Sequence, residues 1–440
     1  MRIAVVGSGI SGLTCARLLS PFHEVTVFEA DSRIGGHINT VSVSVGEERH
    51  EIDTGFIVYN ERTYPNFTRL LAELDVETMP TSMSFSVRCD RDNLEYNGSS
   101  LNGVFAQRTN MLRPRFLCLL NDILRFNREG PADLNNVSHD QTVGDYLAER
   151  RLSPQFAQQY LFPMGAAIWS CPFEDFARFP IRFILEFYVN HGLLSLKNRP
   201  VWRVICGGSK CYVDRLVEPF RDRIRLNCPV QSVRRQDDEV TIDHASGSEC
   251  FEEVIFACHS DQVLRLLGDA DSDEREILSA FPYRSNSAVL HTDESVLPRR
   301  RRAWASWNHH IGRESSSRPT VTYNANILQR IESDHTFCVT LNRDDSIAPE
   351  KVLARFQYSH PVFTTRRAEY QAKHETFIRR RRTSFCGAYW RNGFHEDGVV
   401  SALSVCEQFG IPALTAFVSP KPAVNSCGGS PVSLSKESVL

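Results

Sequence analysis

The opening segment of the chain constrains its fold more than any other feature. Arg2-Ile3-Ala4-Val5-Val6 is a short apolar run of the kind that forms a buried parallel strand. Gly7-Ser8-Gly9-Ile10-Ser11-Gly12 follows at once, after which Leu13, Ala16, Arg17, Leu18 and Leu19 recur at helical spacing. Glu24-Val25-Thr26-Val27-Phe28-Glu29 then reads as a second strand ending in an acid. This is a G-x-G-x-x-G fingerprint in the strand, turn and helix context that gives it meaning. Gly7 allows the tight turn, Gly9 lets the backbone approach a pyrophosphate, and Gly12 lets helix and strand pack closely. The phosphates are expected on the free N–H groups at the helix N-terminus, where Ser11 also lies. Glu29 stands 17 residues after Gly12, where a carboxylate can accept both hydroxyls of an adenosine ribose. A dinucleotide site follows from the pattern.

Which dinucleotide is decided by what comes next. Arg33-Ile34-Gly35-Gly36-His37 falls just after the second strand. A glycine pair there resembles the second phosphate-binding loop of the flavin-containing amine oxidase superfamily, FAD/NAD(P)-binding proteins of the glutathione-reductase-like fold. The resemblance implies non-covalent FAD, with NAD alone as the alternative. The family usually carries Arg where this chain has His37, so the glycines are kept and a fixed charge beside the pyrophosphate is lost.

The resemblance runs along nearly the whole chain. Asp53-Thr54-Gly55-Phe56 resembles the segment whose backbone lies against the flavin, which implicates Gly55. Residues 224–233 resemble a later strand in which Val230 offers backbone hydrogen bonds to adenine. Glu239–Ile242 and Glu253–Ala257 read as further strands, the latter closing the cofactor unit. Phe385-Cys386-Gly387 followed by Gly393–Val400 is similar to the family's C-terminal flavin motif, a strand ending in Gly and then a helix aimed at the flavin. A helix N-terminus favours the negative charge that gathers there on reduction. Ala388 and Tyr389 stand where the family usually has an acid. Gly387, Glu396, Asp397 and Gly398 are the cofactor-contact candidates here, and His395, Glu396 or Asp397 is a candidate to orient the ring or move a proton. Helix capping by the two acids is the alternative.

A narrower likeness lies in Phe56–Asn60 with Thr63–Asn66, Ser82–Val87, Ile168–Pro172, Trp304–Asn308 and Gly393–Gly398. These stretches resemble bacterial NAD/FAD-binding proteins that are similar to the N-terminal region of plant cyclopropane-fatty-acid synthases. That resemblance implies a flavoprotein acting on, or beside, modified acyl chains. It therefore implies an α/β fold: a Rossmann-like FAD-binding domain of amine oxidase type with an inserted α+β substrate domain. The FAD-binding domain is expected over 1–80, 200–267 and 376–415, the substrate domain over 81–199 and 268–375, and a loose tail over 416–440.

Composition agrees with a globular chain. Of 440 residues, 42% are hydrophobic and 23% charged, and the net charge is −3, which disfavours a nucleic-acid partner. Thirteen Cys without a CxxC pair point to free thiols and a cytoplasmic protein. No apolar run approaches the ~20 residues of a membrane span, and the N-terminal run reads as a strand rather than a leader. Residues 82–87 alternate like a strand, Phe116 to Phe126 carry a broad apolar helical face, and 131–141 read as a loop. The apolar density of 176–196 suits either core or the lining of a lipid pocket.

No Lys occurs between Lys210 and Lys351, where amine oxidases of the superfamily commonly place one near the flavin. Ordinary amine oxidation is thereby disfavoured. Dehydrogenation of an acyl-lipid chain is the expectation, with amine oxidation or a non-catalytic accessory to a lipid-modifying enzyme as alternatives. Tyr59, Trp304 and Trp307 are candidates for the substrate pocket, against turn or core roles. His309-His310 lacks partners at metal spacing, so no metal is expected. The Arg299–Arg302 and Arg379–Arg382 runs read as solvated surface. The first, close to Trp304, also offers a peripheral contact with anionic lipid headgroups at the inner membrane surface.

Overall fold

The computed structural model describes residues 1–169, 171–195, 198–313, 320–362, 364 and 366–412. The expected tail over 416–440, residues 413–415 and Ser170 lie outside the described residues.

A five-stranded parallel sheet forms the base. Its order is Ile224–Arg225, Glu24–Phe28, Arg2–Val6, Glu253–Phe256, Thr383–Phe385. Ala4 pairs with Thr26 on one side and Val254 on the other. The central strand is apolar on both faces because both are covered. Ile3 and Val5 face one core with Leu13, Val399 and Ala402, whereas Ala4 and Val6 face a second with Val230, Phe256 and Phe385. Helices Ile10–Leu19 and His395–Glu407 pack together over the first face. An antiparallel sheet of Val230–Arg235, Val240–His244 and Gly247–Phe251 covers the second.

Residues 224–233 are not one strand. The chain breaks between Arg225 and Val230, where Asn227 takes φ 51° and Pro229 has no N–H to give to a ladder. The two halves serve different sheets.

A seven-stranded sheet stands apart from the parallel one. Its order is Val352–Pro361, Tyr283–His291, Cys338–Leu341, Val321–Asn324, Trp307–Ile311, Phe85–Cys89, Leu94–Asn97. Helices Pro114–Asp133, Phe162–Trp169 and Ile181–Asn190 share a core with its Phe85–Asn97 edge. The helix predicted from the Phe116–Phe126 face extends to Asp133, so the expected loop begins later than 131. Phe116, Leu119, Ile123 and Phe126 are its buried stripe. The dense 176–196 segment divides its roles: Ile184, Leu185 and Tyr188 are core, whereas Phe187, His191 and Leu193 reach a cavity. Every described cysteine is a free thiol. Among the described residues, no helix is long and apolar enough to cross a membrane.

Candidate active site

A cavity of about 1200 Å³ opens beyond the C-terminal ends of the parallel strands and continues between the seven-stranded sheet and the helices. Gly7, Gly9, Ser11, Glu29, Gly35, Gly36, His37, Gly55, Val230 and Gly387 all stand on its wall, although they come from five separate stretches of chain.

At one end the wall is backbone. Gly7 turns with φ 108°, a left-handed value that a side chain would strain. A Cβ on Gly12 would lie 2.0 Å from the Gly7 carbonyl oxygen, so Gly12 is a packing residue behind the wall. A Cβ on Gly9 would meet nothing within 4 Å, because that side of Gly9 opens to the cavity. Helix Ile10–Leu19 begins here with no side-chain cap, leaving its first N–H groups free for an anion. Glu29 Oε2 accepts from Ser8 N at 2.9 Å and Ser8 Oγ at 2.5 Å, and Ser8 Oγ accepts from Gly35 N at 3.2 Å. Ser8 thus ties both glycine loops to the acid.

The middle of the cavity is framed by Phe56, Ala388, Gly393, Phe394 and His395. His395 stacks on Phe56 with centroids 3.7 Å apart and an 11° interplanar angle, and its Nε2 is 2.5 Å from the Tyr212 hydroxyl. Burial pulls its pKa down to about 3, so it is neutral at pH 7 and suited to positioning rather than to moving a proton. Glu396 and Asp397 do not reach the cavity wall. Glu396 accepts from Asn66 N, Asn66 Nδ2 and Phe67 N, capping helix Pro65–Glu73. Asp397 accepts from Phe394 N at 2.8 Å and Asn392 N at 3.2 Å, capping its own helix. Gly398 packs against Ile10 and Ser11, where a Cβ would lie 2.6 Å from Ile10 Cγ2. All three act behind the wall, not on it.

The far end is apolar: Leu120, Ile123, Met164, Ile168, Phe187, Leu193, Trp307 and Tyr323. Trp307 packs edge-on to Tyr323, centroids 5.0 Å apart. Two expected pocket residues are elsewhere. Tyr59 is buried among Tyr64 and Phe67, and Trp304 donates its Nε1–H to Pro298 O at 2.7 Å beneath the Arg301 guanidinium. Lys210 and Lys351 pair with Glu51 and Asp293, and neither lines the cavity. The Arg runs are held by acids: Arg299 by Asp90, Arg300 by Glu95, Arg301 by Glu294, and Arg379 to Arg382 by Glu253, Asp271, Asp269 and Asp238.

Among the wall residues that escaped sequence reasoning are His259, Tyr283, Tyr358 and His360. His259 lies just past the strand-ending Ala257, which is a usable signal. The other three are on the distant sheet and carry none.

The sequence pattern of the flavin-containing amine oxidoreductases matches residues 10–327. The chain belongs to that family. Amine oxidase [flavin-containing] A of Sus scrofa is 25% identical over 255 residues, 55% of this chain and 46% of that protein. The chain thus spans about half the length of the curated relatives it matches. A 4,4'-diapophytoene desaturase of Staphylococcus aureus is 50% identical over 40 residues, 9% of this chain and 8% of its own length. The solved fatty acid isomerase of P. acnes superposes with a TM-score of 0.66 at 16% identity, covering 93% of this chain and 98% of its own, which shows a shared fold.

FAD is the family's cofactor, and the wall fits it. The uncapped helix start and the open side of Gly9 would hold the pyrophosphate, and Glu29 would accept from the adenosine ribose. When bound, FAD supplies a hydride acceptor. The chain's own part is to hold it with backbone donors, to brace Phe56 through His395 and Tyr212, and to keep water from an apolar chamber.

Proposed function

We propose that this protein is an FAD-dependent oxidoreductase that removes hydrogen from the acyl chain of a lipid. One observation carries the reading. Among the described residues, Glu29 is the sole carboxylate on the cavity wall, and it belongs to the nucleotide end. Past Phe56 and His395 the wall is mostly apolar and aromatic, its polar groups, among them Ser84, Ser99, Asn127 and His191, are not acids, and it offers no carboxylate to pair with an ammonium. Such a chamber takes up a hydrocarbon chain by the ordinary hydrophobic effect, at about 0.8 kcal/mol per buried methylene. Arg199 stands on the wall beside Pro200 and Val201, where a positive charge suits an acidic lipid head. The desaturase and isomerase likenesses, and the resemblance to the region beside plant cyclopropane-fatty-acid synthases, support the same class. Peripheral membrane contact is a weaker part of the proposal, because three of the four charges in Arg299–Arg302 are paired locally.

Oxidation of an amine is the second reading, favoured by the Sus scrofa relative and by the Trp307–Tyr323 aromatic pair. Anaerobic stopped-flow reduction of the bound flavin separates them. Bleaching by oleate or phosphatidylglycerol, with amines inert, is the expected result. Bleaching by benzylamine or putrescine alone overturns it, and silence with every donor favours an accessory role beside a lipid-modifying enzyme.

A further inference from the structure

His37 stands where the family usually carries an arginine, and the structure gives it two imidazole neighbours. Its ring centroid lies 5.3 Å from that of His360 and 6.1 Å from that of His259. All three rings are on the cavity wall with Gly7, Gly9 and Gly36, at the pyrophosphate cradle. They arrive from three separate elements: the second glycine loop, the turn after Glu253–Phe256, and strand Val352–Pro361. Tyr358 lies 5.2 Å from His37, and Tyr283 stacks on His259 at 4.1 Å. His37 Nε2 is buried and has no hydrogen-bond partner. His360 Nδ1 is 3.2 Å from Asn286 Nδ2 and so accepts from it. The other charged or titratable groups facing the cluster are Arg33 on the same loop, Asp261 and Arg265 on helix Ser260–Leu266, and Cys258 and His395. Asp261 is paired with Arg265 at 2.9 Å.

We propose that the His37–His259–His360 cluster binds the FAD pyrophosphate as a proton-dependent cation, taking up a proton when the anion enters. This rests on the cofactor reading and adds the means of charge neutralisation. The physical basis is simple. Three imidazoles this close repel one another when charged, and burial also disfavours the charged form. Both effects hold His37 and His360 below the usual imidazole range, His360 at about 4, so without an anion beside it the cluster is neutral at pH 7. A pyrophosphate beside them carries two negative charges and reverses the balance. His37 Nε2, which has no partner within the protein, would then gain a phosphate oxygen to donate to. An arginine at position 37 would bind the same anion at any pH. The cluster makes the affinity rise as pH falls.

Isothermal titration of the FAD-free full-length chain with FAD, in buffers of different ionisation enthalpy, measures the protons taken up. Uptake approaching one proton is expected near pH 7. It should be accompanied by a Kd that weakens with rising pH, at a limit of about tenfold per pH unit for one proton. ADP-ribose should show the same uptake and riboflavin none, because of the two only ADP-ribose carries the doubly esterified pyrophosphate, which has no proton of its own to exchange near pH 7. His37→Gln should lose most of the uptake and bind FAD more weakly. His37→Arg should recover the affinity with a flat pH profile, which a merely structural histidine would not do. FAD binding without proton uptake overturns the proposal, as does uptake that persists in both His37→Gln and His360→Gln. A chain that takes no FAD at any pH overturns the cofactor reading and this inference with it.

Discussion

The two ends of the cavity are made from different kinds of sequence. At the nucleotide end, short contiguous stretches do the work: residues 7–11, 29 and 35–37 present backbone N–H groups and one carboxylate. At the far end, proposed to take an acyl chain, single apolar side chains come from Leu120, Met164, Phe187, Trp307 and Tyr323, brought together by helices and strands far apart in the chain. The difference follows from the ligands proposed for the two ends. A pyrophosphate is recognised by directional donors, which a local turn can supply. A hydrocarbon needs only a dry surface of suitable shape, which any apolar residues can make.

The sharpest way to break this comparison is to fill the backbone cradle. Gly9→Val places a side chain in space that is open in the structure, so the FAD-free fold should survive. FAD binding should weaken by more than about 100-fold, the equivalent of ~3 kcal/mol of anion and hydrogen-bond contacts. Fluorescence titration with FAD, beside a melting curve of the FAD-free chain, reads both. If FAD binds unchanged, the cradle is misplaced.

The helix His395–Glu407 joins the two ends, and its cap carries a pH signature. Burial raises the Asp397 pKa to about 6, against about 3.9 for a free carboxyl. The folded state therefore holds the proton more tightly than the unfolded state. Stability from this group is fully present below pH 4 and falls as pH rises through 6, by up to about 3 kcal/mol. Asp53, also raised to about 6, has the same sign. Melting of FAD-free Asp397→Asn between pH 4 and 7 should show a shallower decline than the parent. An unchanged slope would mean that Asp397 is ionised throughout.

At the acyl end, Met164→Asp should slow flavin reduction by a lipid donor about 30-fold, since a carboxylate in an apolar chamber costs ~2 kcal/mol. FAD affinity should stay within about twofold, because the nucleotide end is built independently. Loss of FAD together with lipid reduction would erase the distinction between the ends.

The smallest effect separates two tryptophans that look alike in sequence. Trp307→Ala should lower reduction by the lipid about tenfold, as expected for one large wall contact, and Trp304→Ala less than about twofold. Equal losses would return Trp304 to the pocket.

The sequence by itself determined the parallel-strand base and the nucleotide end of the site. Gly7, Gly9, Gly12 and Glu29 were readable because a glycine turn, a helix start and a strand end are set by neighbours in the chain. It also marked the absence of a nearby lysine. The tertiary structure alone decided which polar residues reach the cavity. Glu396 and Asp397 sit at the predicted helix start, yet its geometry turns them to caps and leaves His395 facing inward. Asn227 and Pro229 broke one expected strand into two that serve different sheets. Trp304 and Trp307 differ because Trp304 ends the short turn Arg301–Ala303 and lies beneath Arg301, whereas Trp307 opens a strand that faces the cavity. His259 and His360 join His37 only because two sheets meet there. Hydrophobic periodicity tells that a side chain is buried, but not against what, and that choice is made by packing between elements distant in sequence.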